Sequence, residues 1–172
     1  MLVVVAGLPG VGKSTFADAI GQRFRVPVFS VDPIEAALWR SGIPRSFETG
    51  LAAYEVVATL AEHVMHLGIT AVVDAVSSLE IARAMWRLAA QRAGTEIRII
   101  EVVCTDERLH RMRLESRQRD IEGFYEPTWA SVQERRAEYE PWSEDRLILD
   151  TTAALDDNLE KAFAHVEGVH PE

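Results

Sequence analysis

Five short apolar runs punctuate the chain, and a helical pattern follows each of them. Residues 2–6, Leu-Val-Val-Val-Ala, are apolar on both faces, the pattern of a strand buried in the middle of a parallel sheet. Residues 28–31, 70–73, 97–104 and 146–149 repeat that signal. Between them, residues 13–24 read as a helix, and Pro33 opens another that carries Ile34, Ala37, Leu38 and Trp39 until Gly42 and Pro44 stop it. Residues 41–48 read as a loop. In 48–67, Leu51, Tyr54, Val57, Ala58, Ala61, Val64 and Met65 keep one helical face. Further helices are predicted over 79–92 with Ser78 as cap, over 106–117 with Thr105 as cap, over 128–138 and over 155–165. Residues 117–126 are polar and charged around Gly123. Strands alternating with helices predict a parallel sheet between two helical layers, a three-layer α/β/α domain over 1–172. In such sheets ligands bind beyond the carboxyl ends of the strands.

The first strand delivers Gly7-Leu8-Pro9-Gly10-Val11-Gly12-Lys13-Ser14 to that edge. This is G-x-x-x-x-G-K-S between a buried strand and a helix. The turn aims backbone N–H groups and the positive end of a helix dipole at one spot, which suits a polyphosphate. Gly7, Gly10, Val11, Gly12, Lys13, Ser14 and Thr15 are the expected nucleotide ligands. Lys13 would reach the β- and γ-phosphates, and the Ser14 hydroxyl would bind Mg²⁺.

Three further strands stop at aspartates. Asp32 is the candidate general base that orients and deprotonates an acceptor hydroxyl, or a cap for the helix at Pro33. Asp74 ends Ala-Val-Val-Asp, the form of a carboxylate that holds Mg²⁺, although it could bind an acceptor instead. Asp150-Thr151-Thr152 closes the last strand and borders a nucleotide or simply turns the chain. Arginines gather at 108, 111, 113, 117 and 119. Arg113 and Arg117, four apart, are expected on one helical face, where guanidiniums could stabilise charge on the transferred phosphoryl group. Trp39, Phe47, Tyr54, Trp129 and Trp142 are candidates for an acceptor pocket or for core. His63 and His66 lack a third ligand and are weak metal evidence.

Composition narrows the classes. Net charge is −9, which disfavours a protein that holds long nucleic acid by its phosphates. No run of about 20 apolar residues suggests a membrane span. No basic leader precedes the first strand, and the single cysteine, Cys104, reads as inert core in a reducing compartment, so a cytoplasmic protein is expected. A switch GTPase would carry Asp-x-x-Gly after the third strand and an Asn-Lys-x-Asp. Here Asp74-Ala75-Val76-Ser77 follows, and the only asparagine is Asn158. A transporter ATPase would carry Leu-Ser-Gly-Gly-Gln, which is absent.

These residues together are similar to a known group. Gly7–Ser14, Ser30-Val31-Asp32, Val72-Val73-Asp74, Arg-Leu-Glu-Ser-Arg at 113–117 and Arg-Ala-Glu-Tyr-Glu-Pro at 136–141 resemble the small P-loop kinases of the AAA_33 type. That group includes chloramphenicol phosphotransferase-like and zeta-toxin-like enzymes and lies near gluconate and shikimate kinases. The resemblance implies strand order 2-3-1-4-5, a lid after strand 4 at about 117–127, and ATP with Mg²⁺. It implies that Asp32 activates the acceptor, that Arg113 stacks on adenine, and that Arg117 contacts phosphate. Catalysis would then rest on Lys13, Asp32 and Arg117; Arg113, Arg117 and Thr151 would join the loop in holding the nucleotide; Ser14 and Asp74 would hold the metal. Residues 33–56 share little with chloramphenicol phosphotransferase, so its specificity does not carry over. The expected activity is transfer of the ATP γ-phosphate to a hydroxyl of a small molecule, such as an antibiotic or a sugar-like alcohol. The alternatives are a nucleoside, nucleotide or RNA-end kinase, and a nucleotide-binding regulatory module without transfer.

Overall fold

In the computed structural model, which describes residues 1–168, β1 (Leu2–Ala6) lies at the centre of a five-stranded sheet. The order is β2 (Val28–Ser30), β3 (Ala71–Asp74), β1, β4 (Ile97–Val103), β5 (Leu147–Asp150), and every pairing is parallel. The expected order 2-3-1-4-5 is therefore observed. All five residues of β1 are fully buried, as two-sided burial of a central strand requires.

Alternation along the strands separates two cores. Leu2, Val4, Ala6, Ala71, Val73 and Ile99 face α3 (Phe47–His66) and α4 (Glu80–Arg92). Val3, Val5, Val72, Ile100 and Val102 face α1 (Lys13–Phe24) and α7 (Leu155–Glu167), which contribute Phe16, Ile20, Ala162 and Val166. The helices α2 (Val31–Arg40), α5 (Glu107–Ser116) and α6 (Trp129–Ala137) stand around the carboxyl edge of the sheet.

Three boundaries depart from expectation. The second strand stops at Ser30, and Val31 already begins α2. Asp32 and Pro33 occupy the first turn of that helix, where proline's missing N–H costs nothing. Asp106, not Thr105, caps α5 by accepting from the Leu109 amide at 3.0 Å. Ser78 does not cap α4; Leu79 stands there, with no side-chain cap bond.

Candidate active site

Gly7 shows why the loop needs glycine where it leaves the sheet. Its φ is 141°, and a Cβ would lie 2.2 Å from the Val102 carbonyl oxygen. Gly12, at φ 105°, caps α1 and offers no side chain to the first-turn amides; the Thr15 amide donates to the Gly12 carbonyl at 3.2 Å, and the amides before it are left to a ligand. From beneath, His110 braces the loop: Nε2 donates to the Pro9 carbonyl at 2.8 Å, and Nδ1 accepts from Arg136 at 3.1 Å. Burial holds the His110 imidazole below its ordinary pKa, consistent with a neutral ring that donates on one side and accepts on the other.

Lys13 is buried, and its Nζ has one hydrogen bond, to the Leu8 carbonyl at 3.3 Å. Burial pushes its pKa down, while Asp74 and then Asp32 pull it back. Both carboxylates therefore act on one ammonium. Asp74 Oδ2 accepts from Ser14 Oγ at 2.6 Å and from Ser30 Oγ at 3.2 Å. Ser30 was not among the expected site residues; only its place at the end of β2, beside Asp74 in register, identifies it.

A cavity of about 500 Å³ opens over the loop, lined by Gly10–Phe16, Arg113, Arg117, Arg119 and Thr151. Arg113 donates through Nη1 to Thr151 Oγ1 at 2.8 Å and through Nη2 to the Thr151 carbonyl at 3.1 Å. Arg117 lies at the end of α5 in extended geometry, so the two arginines share the cavity without sharing a helical face. Arg117 Nη2 lies 2.7 Å from Glu126 but out of hydrogen-bond alignment, and its buried Nε has no partner. Burial, and then Arg119, lower the Arg117 pKa. The expected arginine cluster thus splits. Arg113, Arg117 and Arg119 face the cavity, whereas Arg111 pairs with Glu115 and, with Arg108, lines a surface depression elsewhere.

Arg119 is the contact that the spacing of residues did not suggest. Its Nη1 donates to Asp32 Oδ2 at 2.6 Å, while Nε and Nη2 donate to Glu126 at 2.9 and 3.0 Å. Asp32 also lines a second cavity, of about 260 Å³, with Glu35, Ser46, Phe47, Leu51, Tyr54, Val76, Ile81, Arg135 and Glu138. Of the five aromatic candidates, Phe47 and Tyr54 line it. Trp39 instead stacks on Phe124, Trp129 meets His110, and Trp142 lies against Arg83. Burial pushes the Tyr54 phenol up to about 12, and its oxygen accepts the Ser77 amide at 3.1 Å. Asp150 is a turn group: it accepts from the amides of Thr105 and Thr152, away from the phosphate cavity. Cys104 is buried, as expected. Among the described residues no group of three or more His, Cys, Asp or Glu could hold a metal.

The donors fit a nucleotide and Mg²⁺. Uncapped amides, a desolvated ammonium and an orphaned guanidinium nitrogen suit phosphate oxygens. A hydroxyl and a carboxylate at 2.6 Å are hard oxygen ligands, and Mg²⁺ commonly takes few protein ligands and keeps waters.

Fold and site define the class: a P-loop domain with the architecture of the small kinases. The chain belongs to the AAA_33 family of AAA domains, whose model matches residues 2–142. Comparison with curated proteins finds no match. Solved structures of the same fold include a sugar kinase from Janibacter sp., at 17% identity over 96% of this chain and 94% of that one, TM-score 0.75. The APS kinase CysC of Mycobacterium tuberculosis, in complex with AMPPNP and APS, is 19% identical over 96% of each chain, TM-score 0.70. Kti12 of Chaetomium thermophilum, in complex with ADP-AlF3, is 15% identical over 100% of each chain, TM-score 0.75.

Proposed function

We propose that the protein is an ATP-dependent kinase that phosphorylates a hydroxyl of a small molecule. The observation that carries this reading is convergence on Lys13. Lys13 lines the phosphate cavity with Arg119, Arg119 donates to Asp32 of the second cavity, and Asp74 and Asp32 both act on the Lys13 ammonium. ATP with Mg²⁺ supplies the transferable phosphoryl group. Lys13, the loop amides and Thr15 hold its phosphates; Ser14 and Asp74 hold the metal. Arg113 and Thr151 border the base, and Arg117 meets developing charge on the phosphate oxygens. Asp32 orients the acceptor hydroxyl and takes its proton once Arg119 has released it. Residues 117–127 serve as the lid of a single P-loop kinase domain spanning 1–172, in a cytoplasmic protein.

The test is Asp32→Asn, assayed by ADP release over a library of sugars, nucleosides and amino alcohols. We expect kcat to fall by at least about a hundredfold with ATP affinity unchanged, as for a lost general base. A change confined to the acceptor KM would make Asp32 a binding group instead. The second reading, a nucleotide-binding regulatory module, is favoured by one observation: Arg119 occupies the carboxylate that a kinase needs free. ATP binding without ADP release across the library would support it.

A further inference from the structure

We propose that the hydroxyl acceptor carries a protonated amine, which Glu35 receives while the hydroxyl faces Asp32 and a hydrocarbon flank lies on Phe47, Leu51 and Ile81. This rests on the kinase reading above and names its substrate class. The cavity is smaller than the roughly 300–1,000 Å³ of drug-sized sites, so the acceptor is small.

Its charges are unevenly placed. Arg135 and Glu138 are exposed, opposite in charge and three residues apart at the end of α6, and Arg135 acts on Glu35 only through space. The inner wall is left with Asp32 and Glu35, adjacent turns of α2 that face the same space. Asp32 already holds the Arg119 guanidinium. Glu35 is half-buried and makes no hydrogen bond or ion pair; only Asp32, Arg135 and Arg45 act on it through space. Its Oε1 lies over Gly50 of α3, 3.5 Å from where a Cβ would stand, so the wall opposite is open backbone. Burial, then Asp32, raise the Glu35 pKa by more than Arg135 and Arg45 lower it, so a closer counter-charge would favour its carboxylate. An ammonium supplies it. A carboxylate or phosphate on the acceptor would instead face two acidic groups, and like charges in a partly desolvated site repel. Phe47, Leu51, Val76, Leu79 and Ile81 also line the space, which favours an acceptor with some hydrocarbon surface.

The experiment compares alcohols matched in scaffold and graded in charge: phenylalaninol, N-acetylphenylalaninol and phenyllactate, then glucosamine, glucose and gluconate. Full-length protein with ATP and Mg²⁺ is assayed for ADP release, and binding of phenylalaninol in the presence of ADP is measured by calorimetry. We expect kcat/KM for the ammonium member to exceed its neutral and anionic partners by at least about tenfold, one charge-assisted contact. Glu35→Gln should collapse that ratio and weaken phenylalaninol binding by a similar factor, and Glu35→Lys should shift preference toward the anionic members. Rates led by neutral or anionic alcohols, absence of transfer to either ammonium member, or a preference that survives Glu35→Gln would each overturn the assignment. Failure of the kinase reading itself looks different: no alcohol, neutral and anionic members included, would then release ADP, whether or not ATP–Mg²⁺ binds by calorimetry.

Discussion

Lys13 shows how a single residue is set up against its own folding. Its ammonium is buried and has one long hydrogen bond, and burial is the leading cause of its lowered pKa. A lowered pKa means that the charged form is less favourable in the folded chain than in the unfolded one. The cost is sustained at a functional site, as buried charges there commonly are. Lys13→Met keeps the volume and removes the charge. We expect thermal stability equal to or above wild type, and affinity for ATP–Mg²⁺ reduced by at least about a hundredfold, checked by melting curves and calorimetry. A clearly lower melting temperature would show that Asp74 and Asp32 need the lysine more than the lysine resists burial.

At the scale of elements, the segment after α5 is held down on α2 by more than one contact. Trp39 stacks on Phe124 at 5.5 Å and meets Tyr125 edge-on at 5.7 Å; Arg45 lies over Trp39 and Tyr125. Arg40 donates to the Glu122 carbonyl, and Arg119 ties Asp32 to Glu126 while covering Phe124 at 4.7 Å. Aromatic pairs of this kind contribute about 0.5–1.5 kcal/mol each, so the segment is docked but releasable. Arg119→Ala should speed chymotrypsin cleavage at Phe124 and Tyr125 by several-fold with little change in melting temperature. An unchanged cleavage rate would mean that the aromatic contacts suffice alone. This level also marks what the sequence could disclose. The phosphate loop was legible because its chemistry is contiguous, and Asp74 because a buried strand leads straight to it. The Arg119–Asp32 pair was not, because 87 residues separate its partners and no local period links them. The end of β2 was misread for a local reason: Val31 is β-branched and looks like strand, but the chain turns there into the helix that Pro33 tolerates.

Across the whole molecule, one arginine fastens the segment between α6 and β5 to the body of the fold. A lone arginine in an amphipathic helix reads as surface, yet Arg83 of α4 is 1% exposed. Its Nε donates to the Ser77 carbonyl at 2.9 Å, Nη1 to Pro141 at 2.8 Å and Nη2 to Glu140 at 2.7 Å, and its plane lies 3.8 Å from the Trp142 ring. Trp142 in turn donates to Glu101 of β4, which also accepts Arg146 at 2.6 Å. The turn at Ser77 has φ 51°, and its neighbours Val76 and Ser78 line the second cavity. Arg83 therefore supports both the chain path and the wall of the second cavity. Replacing it leaves several carbonyls without donors, and two hydrogen bonds to a charged group together contribute about 3–5 kcal/mol. For a chain of this length that corresponds to a fall in melting temperature of roughly 6–20 °C. Arg83→Met should show this loss. Arg83→Lys should recover little of it, since one ammonium cannot span carbonyls that a planar guanidinium reaches together. The site should respond unequally: acceptor KM rises, because that wall is displaced, while ATP affinity holds, because Arg83 makes no contact with the phosphate loop. Full recovery of stability by lysine would reduce the role of Arg83 to charge alone, and equal losses in ATP and acceptor binding would mean that the two halves of the site do not move independently.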